Sequence, residues 1–127
     1  MSAARILVVD DDEDTRETQA VLLRDAGHTV VCVPNGREAL AQVLSDVPDV
    51  VLLDLVMPEM DGPSFLEVVR SYLRIQSLPV VVLTALAESP MIDRARALKV
   101  NSVLVKGKAM PADVARAIEE ALARYPG

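Results

Sequence analysis

The sequence predicts an α/β domain, a doubly wound parallel sheet in which five strands alternate with five helices over residues 1–127. Three observations carry that expectation. Short runs dominated by Val, Leu and Ile recur five times, as strands buried on both faces require. Stretches with apolar residues at helical spacing separate them, joined by short turns. Several runs also stop at a residue with a reactive or charged side chain, where a strand should emerge from the sheet.

Arg5-Ile6-Leu7-Val8-Val9 is the first strand, and it breaks off at Asp10-Asp11-Asp12-Glu13-Asp14. Of these, Asp12, Glu13 and Asp14 are expected to be solvated charges that complement the positive end of the next helix. Thr15 to Ala26 reads as that helix, with Thr18, Val21, Leu22 and Ala26 on one face and Arg16, Glu17, Arg24 and Asp25 on the other. Gly27 stops it. Thr29 to Val33 is the second strand, and Pro34-Asn35-Gly36 turns into a helix from Arg37 to Ser45 carrying Ala39, Leu40 and Val43. Val50-Val51-Leu52-Leu53 is the third strand, with the carboxylate of Asp54 at its exit. A turn over Met57 to Pro63 follows, where Asp61 is a good N-cap for a helix through Phe65, Leu66, Val68, Val69 and Leu73. Pro79 to Thr84 is the fourth strand, and the next helix starts near Ser89-Pro90 with Ile92, Ala95 and Leu98 inward. Ser102 to Lys106 is the fifth strand; Pro111 opens a closing helix with Val114, Ile118, Ala121 and Leu122 on its buried stripe.

Composition narrows the function. A chain of 127 residues that is 51% hydrophobic can bury one core. Aromatic residues make up 2%, which leaves few platforms for stacking bases, and thirteen basic against nineteen acidic residues give a net charge of −6. Direct nucleic-acid binding is therefore not expected. The sequence has neither an apolar stretch long enough to span a bilayer nor a signal-peptide core, so a cytoplasmic location is expected. Cys32 is the sole cysteine and reads as a core thiol, while His28, also alone, reads as structural or solvent-exposed.

Periodicity leaves the strand order open. The flavodoxin-like order 2-1-3-4-5 is one common solution, and it gathers the ends of strands one, three, four and five around one crevice. That crevice would hold Asp10 and Asp11, Asp54, Thr84 and Lys106. Two carboxylates about 4 Å apart repel by roughly 4 kcal/mol at an effective dielectric near 20, so three together call for a cation. Hard oxygen ligands suit Mg2+, which would also neutralise an incoming phosphoryl group and leave an oxygen of Asp54 free to attack phosphorus. Thr84 offers a hydroxyl donor and Lys106 a positive charge to the phosphoryl oxygens of the product. Lys108 competes for the second role, but the apolar run breaks at Lys106.

Ile6-Leu7-Val8-Val9-Asp10-Asp11, Pro48 through Gly62 with Asp54 at its centre, Leu83-Thr84-Ala85 and Val105-Lys106 together resemble the receiver domain of two-component response regulators. The resemblance covers essentially the whole chain. It implies that Asp54 is the phosphoacceptor, Asp11 a direct Mg2+ ligand, Asp10 a ligand through water and the backbone carbonyl of Val56 a further ligand. It also implies that Thr84 and Lys106 are the switch hydroxyl and the phosphate-binding lysine. A histidine kinase or histidine phosphotransfer protein would supply the phosphoryl group, and the face of helices four and five would be the surface for a homodimer. Output would pass to a downstream protein, or to an output domain for which Tyr125-Pro126-Gly127 begins a linker.

Two positions depart from the family's pattern. Gly107 stands where receivers usually carry proline after the lysine, and Val103 where many carry an inward-turning aromatic. An aromatic rotamer switch is absent, so the expected signal is a muted or rerouted displacement of backbone and small side chains. A pseudo-receiver that keeps the fold as an interaction module is the alternative reading. Val56 and Leu86 offer no side chain to position an attacking water, so self-dephosphorylation should be slow. A flavodoxin-like nucleotide site is disfavoured, because Asp10-Asp11-Asp12 would repel a phosphate without a bridging cation.

Overall fold

A computed structural model describes residues 3–124; the expectation for Tyr125-Pro126-Gly127 lies outside them. Five strands, β1 (Arg5–Val9), β2 (Thr29–Val33), β3 (Val50–Leu53), β4 (Val80–Thr84) and β5 (Ser102–Val105), alternate with five helices. The helices are α1 (Glu13–Asp25), α2 (Gly36–Ser45), α3 (Gly62–Ser71), α4 (Pro90–Ala97) and α5 (Pro111–Arg124). All pairings are parallel and the sheet order is β2-β1-β3-β4-β5, the flavodoxin-like solution.

Strand residues alternate between two cores. Leu7, Val9, Val51, Leu53, Val80 and Val82 face one side with Phe65 and Leu66 of α3 and Ala39 and Val43 of α2. Ile6, Val8, Leu52, Val81 and Leu83 face the other with Leu23 of α1 and Val114 and Ile118 of α5. Burial on both faces is why β1, β3 and β4 read as unbroken apolar runs.

Side chains cap the helices as their sequences indicate. Asp12, Asn35, Asp61 and Ser89 each accept a hydrogen bond from a backbone N–H in the first turn. His28 is structural: it is buried, and the Ala4 N–H donates to its Nδ1 at 3.0 Å.

Three expectations need correction. In α1 the inward residues are Ala20 and Leu23, whereas Val21 and Leu22 are exposed, as are Thr18 and Ala26. Arg16, placed on the outer face by its charge, instead turns its guanidinium back to donate to the Asp10 carbonyl at 2.8 Å. Leu73 is 85% exposed, because α3 ends at Ser71 and the chain turns away at Tyr72 with ψ of 118°. Cys32 is only half-buried, since β2 is an edge strand and its sulfur lies at the margin of the core.

Candidate functional site

The sheet's hydrogen bonding continues one residue beyond the strands and fixes the site backbone. The Asp10 N–H donates to the Val33 carbonyl at 3.2 Å, Asp54 to Val9 at 2.9 Å and Lys106 to Thr84 at 2.8 Å. Each residue at a strand exit is thereby tied to the neighbouring strand, and their side chains converge. Asp10 and Asp54 are 3% and 6% exposed, Thr84 is fully buried, and Asp11 stands at the open rim.

Carboxylate oxygens of Asp10, Asp11 and Asp54 lie within 4.8 Å of one another. The Lys106 ammonium bridges two of them, donating to Asp10 Oδ2 at 2.7 Å and Asp54 Oδ2 at 3.1 Å. The remaining oxygens are held by backbone: Asp12 N–H donates to Asp10 Oδ1 at 2.9 Å and Leu55 N–H to Asp54 Oδ1 at 2.7 Å. The carboxylates are therefore oriented as well as gathered.

Burial raises the Asp10 pKa above the usual carboxylate value, and the nearby Asp54 charge adds to the rise. The Lys106 hydrogen bond and the Asp12 N–H oppose it without cancelling it. For Lys106, burial acts to lower the pKa, but the hydrogen bond to Asp10 and the charges of Asp54 and Asp10 outweigh burial and raise it. The ammonium therefore stays charged at neutral pH. Three carboxylates against one ammonium leave two negative charges in the pocket, and every candidate side-chain ligand is an oxygen. That donor set fits a hard divalent cation of the Mg2+ type.

Lys106 rather than Lys108 reaches the acidic pair; Gly107, at φ +86°, turns the backbone immediately after it, in a conformation suited to glycine. Thr84 Oγ1 accepts from the Leu86 N–H at 3.3 Å, which leaves its hydroxyl proton free to donate elsewhere. Val56 lies on the loop after β3 with its side chain 52% exposed, and among the described residues no donor reaches its carbonyl. Val103 is half-buried against the α2–α4 core and brings no aromatic ring to this position.

Sequence reasoning missed the strap that holds this loop. The Gly36 N–H donates to the Met60 carbonyl at 3.0 Å, joining the start of α2 to the segment after β3. It also missed Arg70, whose guanidinium donates to the carbonyls of Leu98, Gln76 and Leu78 at 2.8, 3.0 and 2.8 Å. The Asn35-Gly36 turn was a visible signal for the first; nothing in the sequence marks Arg70.

The sequence model of the response regulator receiver domain matches residues 6–119. A 14.6 kDa protein encoded in the sodA1 3' region of Leptolyngbya boryana is 37% identical over 123 residues, spanning 95% of this chain and 92% of its own length. Response regulator MprA of Mycolicibacterium vanbaalenii is 48% identical over 82 residues, 64% of this chain and 34% of its own. Gliding motility regulatory protein of Myxococcus xanthus is 32% identical over 115 residues, 91% of this chain and 15% of its own. The chain thus spans nearly all of one relative and a minor part of the other two.

Among solved structures, chemotaxis response regulator CheY4 of Vibrio cholerae superposes with a TM-score of 0.86 at 30% identity, covering 95% of this chain and all of that one. The signal receiver domain of a histidine kinase from Syntrophus aciditrophicus gives 0.87 at 26% identity, covering 95% and 91%. The chain belongs to the response regulator receiver domain family.

Proposed function

We propose that this domain is a Mg2+-dependent phosphoacceptor in which Asp54 takes a phosphoryl group from the phosphohistidine of a histidine kinase or phosphotransfer protein. One observation carries the reading most strongly. Lys106, Asp10 and Asp54 arrive from three different strand exits and meet in one hydrogen-bonded cluster, with Asp11 beside it. Burying such a set is costly, and a purely structural role would be served as well by apolar residues.

In the transfer, a carboxylate oxygen of Asp54 forms a bond to phosphorus while the phosphorus–nitrogen bond of the donor imidazole breaks, its electron pair staying on nitrogen. A carboxylate nucleophile brings no proton to be removed, so no general base is required. Asp10, Asp11, Asp54 and the Val56 carbonyl would hold Mg2+, which when bound offsets the charge of the phosphoryl oxygens. Lys106, already on Asp54, needs only a small shift to reach a phosphoryl oxygen, and the Thr84 hydroxyl can donate to another.

The new group adds a charge of about −2 at pH 7, which biases a two-state surface through β4, α4 and β5. With Val103 at the switch position, the displacement runs through backbone and small side chains. The exposed Val56 and half-buried Leu86 flank the pocket with apolar groups, so the phosphoryl group should be long-lived. Among the described residues no helix is long and apolar enough to cross a membrane, consistent with a cytoplasmic switch that acts on a downstream protein or an attached output domain.

The test is incubation with Mg2+ and a small acyl-phosphate donor, read by intact mass. The protein should gain one phosphoryl group, Asp54→Ala should gain none, and a chelator should abolish the gain. Absence of any gain in protein shown to bind Mg2+ would turn the assignment toward a phosphorylation-independent interaction module.

A further inference from the structure

The loop after β3 carries two backbone conformations that side-chain-bearing residues rarely adopt: Glu59 at φ +55° and Met60 at φ +123°. Strain of this kind persists only where the surroundings hold it in place. Here the restraint comes from a different element, the start of α2. The Gly36 N–H donates to the Met60 carbonyl at 3.0 Å, and the approach is so close that a Cβ on Gly36 would lie 2.4 Å from that oxygen. Asn35, buried at 4% exposure, caps α2 by accepting from Glu38 N–H at 2.8 Å. Its amide also donates to Glu59 Oε2 at 3.4 Å and to Glu38 Oε2 at 3.2 Å.

At its far end the loop closes on the site itself. The Gly62 N–H donates to the Leu55 carbonyl at 2.9 Å, and a Cβ on Gly62 would lie 2.7 Å from the Asp54 carbonyl oxygen. Val56 sits between these two anchors.

We infer that Asn35 and Gly36 are positioning residues for the metal pocket: by pinning Met60 and Glu59 they set the path of the loop that presents the Val56 carbonyl beside Asp54. The inference rests on the proposed phosphoacceptor reading. Neither residue touches the metal or the phosphoryl group; both act through the loop. Partners that orient ligands from outside the first coordination sphere typically change metal affinity by about 10–100-fold when lost.

Mg2+ titration by calorimetry, with thermal melts in chelator as the folding control, tests it. Gly36→Ala must push the Met60 carbonyl away and should weaken Mg2+ about tenfold. Should that variant fail to fold, Asn35→Asp decides. Aspartate caps the helix as well as asparagine but sets a carboxylate against Glu59 and Glu38, so Mg2+ should again weaken while the melt in chelator, though lowered, stays cooperative. Adding Glu59→Gln to Asn35→Asp should recover most of the affinity, a rescue that a purely structural role would not produce. Parent affinity in folded Asn35→Asp, or no recovery in the double variant, overturns the inference while the phosphoacceptor assignment stands. A parent protein that binds no Mg2+ and gains no phosphoryl group overturns both.

Discussion

Replacing Lys106 by methionine keeps much of the side-chain volume and removes the ammonium that bridges Asp10 and Asp54. Carboxylate oxygens up to 4.8 Å apart then face each other uncompensated, a repulsion of about 3.5 kcal/mol at an effective dielectric near 20. Removing one partner of a fully buried ion pair costs about 3–5 kcal/mol. Lys106 is 24% exposed and the Asp11 side of the pocket is open to water, which reduces the expected cost to about 2.5 kcal/mol. For a domain of this size that is a fall in Tm of about 10 °C in the presence of a chelator.

Saturating Mg2+ should narrow the gap, because the cation supplies the charge that the variant lacks and so stabilises it more than the parent. The pH dependence has a definite sign. Lys106 has a raised pKa in the folded protein, so its contribution is present below the ordinary lysine value of 10.5 and is lost as pH rises through the higher folded value. The gap between parent and variant should thus be steady between about pH 7 and 9. Circular-dichroism melts with chelator and with Mg2+ make the measurement. Equal melting temperatures in chelator would refute the view that Lys106 is the electrostatic counterweight of the metal-free pocket.

Asp11→Asn removes one rim carboxylate without breaking the Lys106 bridge; it should raise Tm by a few degrees in chelator and abolish most of the Mg2+-induced rise, both read in the same melts. Arg70→Ala strips donors from the carbonyls of Leu98, Gln76 and Leu78 at the opposite end of the sheet, so urea unfolding should show a loss of about 3 kcal/mol with Mg2+ affinity unchanged. Burial raises the Cys32 thiol pKa, with Arg24 and Arg16 only partly opposing it, so alkylation at pH 8 should run about tenfold slower than for a free thiol and reach the ordinary rate in denaturant.

The features legible in the sequence are those that a single strand exit or cap can encode. Asp54 stands out because four apolar residues precede it, and Asp61 announces the start of α3 by its place before Gly62-Pro63. Strand order is not encoded in periodicity; 2-1-3-4-5 is expected only as a common solution for five alternating units, and it is the order that gathers Asp10, Asp54, Thr84 and Lys106. What stayed hidden is in part a matter of which small side chains face inward and where a helix closes, and in part pairing between distant segments. The inward stripe of α1 shrinks to Ala20 and Leu23 beside half-buried Arg16 and Gln19, so the larger Val21 and Leu22 gave the wrong face. Leu73 looked like a continuation of the α3 stripe, but the Ser71 hydroxyl donates to the Val68 carbonyl and the helix closes before it. The Gly36 contact with Met60 joins two turns 24 residues apart across the sheet top, as does Asn35 with Glu59; the Asn35-Gly36 turn marks one end of each contact, but no local pattern names its partner.

The most direct test of the central claim is to locate the acyl phosphate chemically. After phosphorylation with Mg2+ and a small acyl-phosphate donor, borohydride reduction converts an aspartyl phosphate to homoserine, and peptide mass mapping reads its position. Homoserine at position 54 alone is the predicted result. Homoserine at position 10 or 11, or a phosphorylated protein that yields none, would contradict the assignment of Asp54 as the phosphoacceptor.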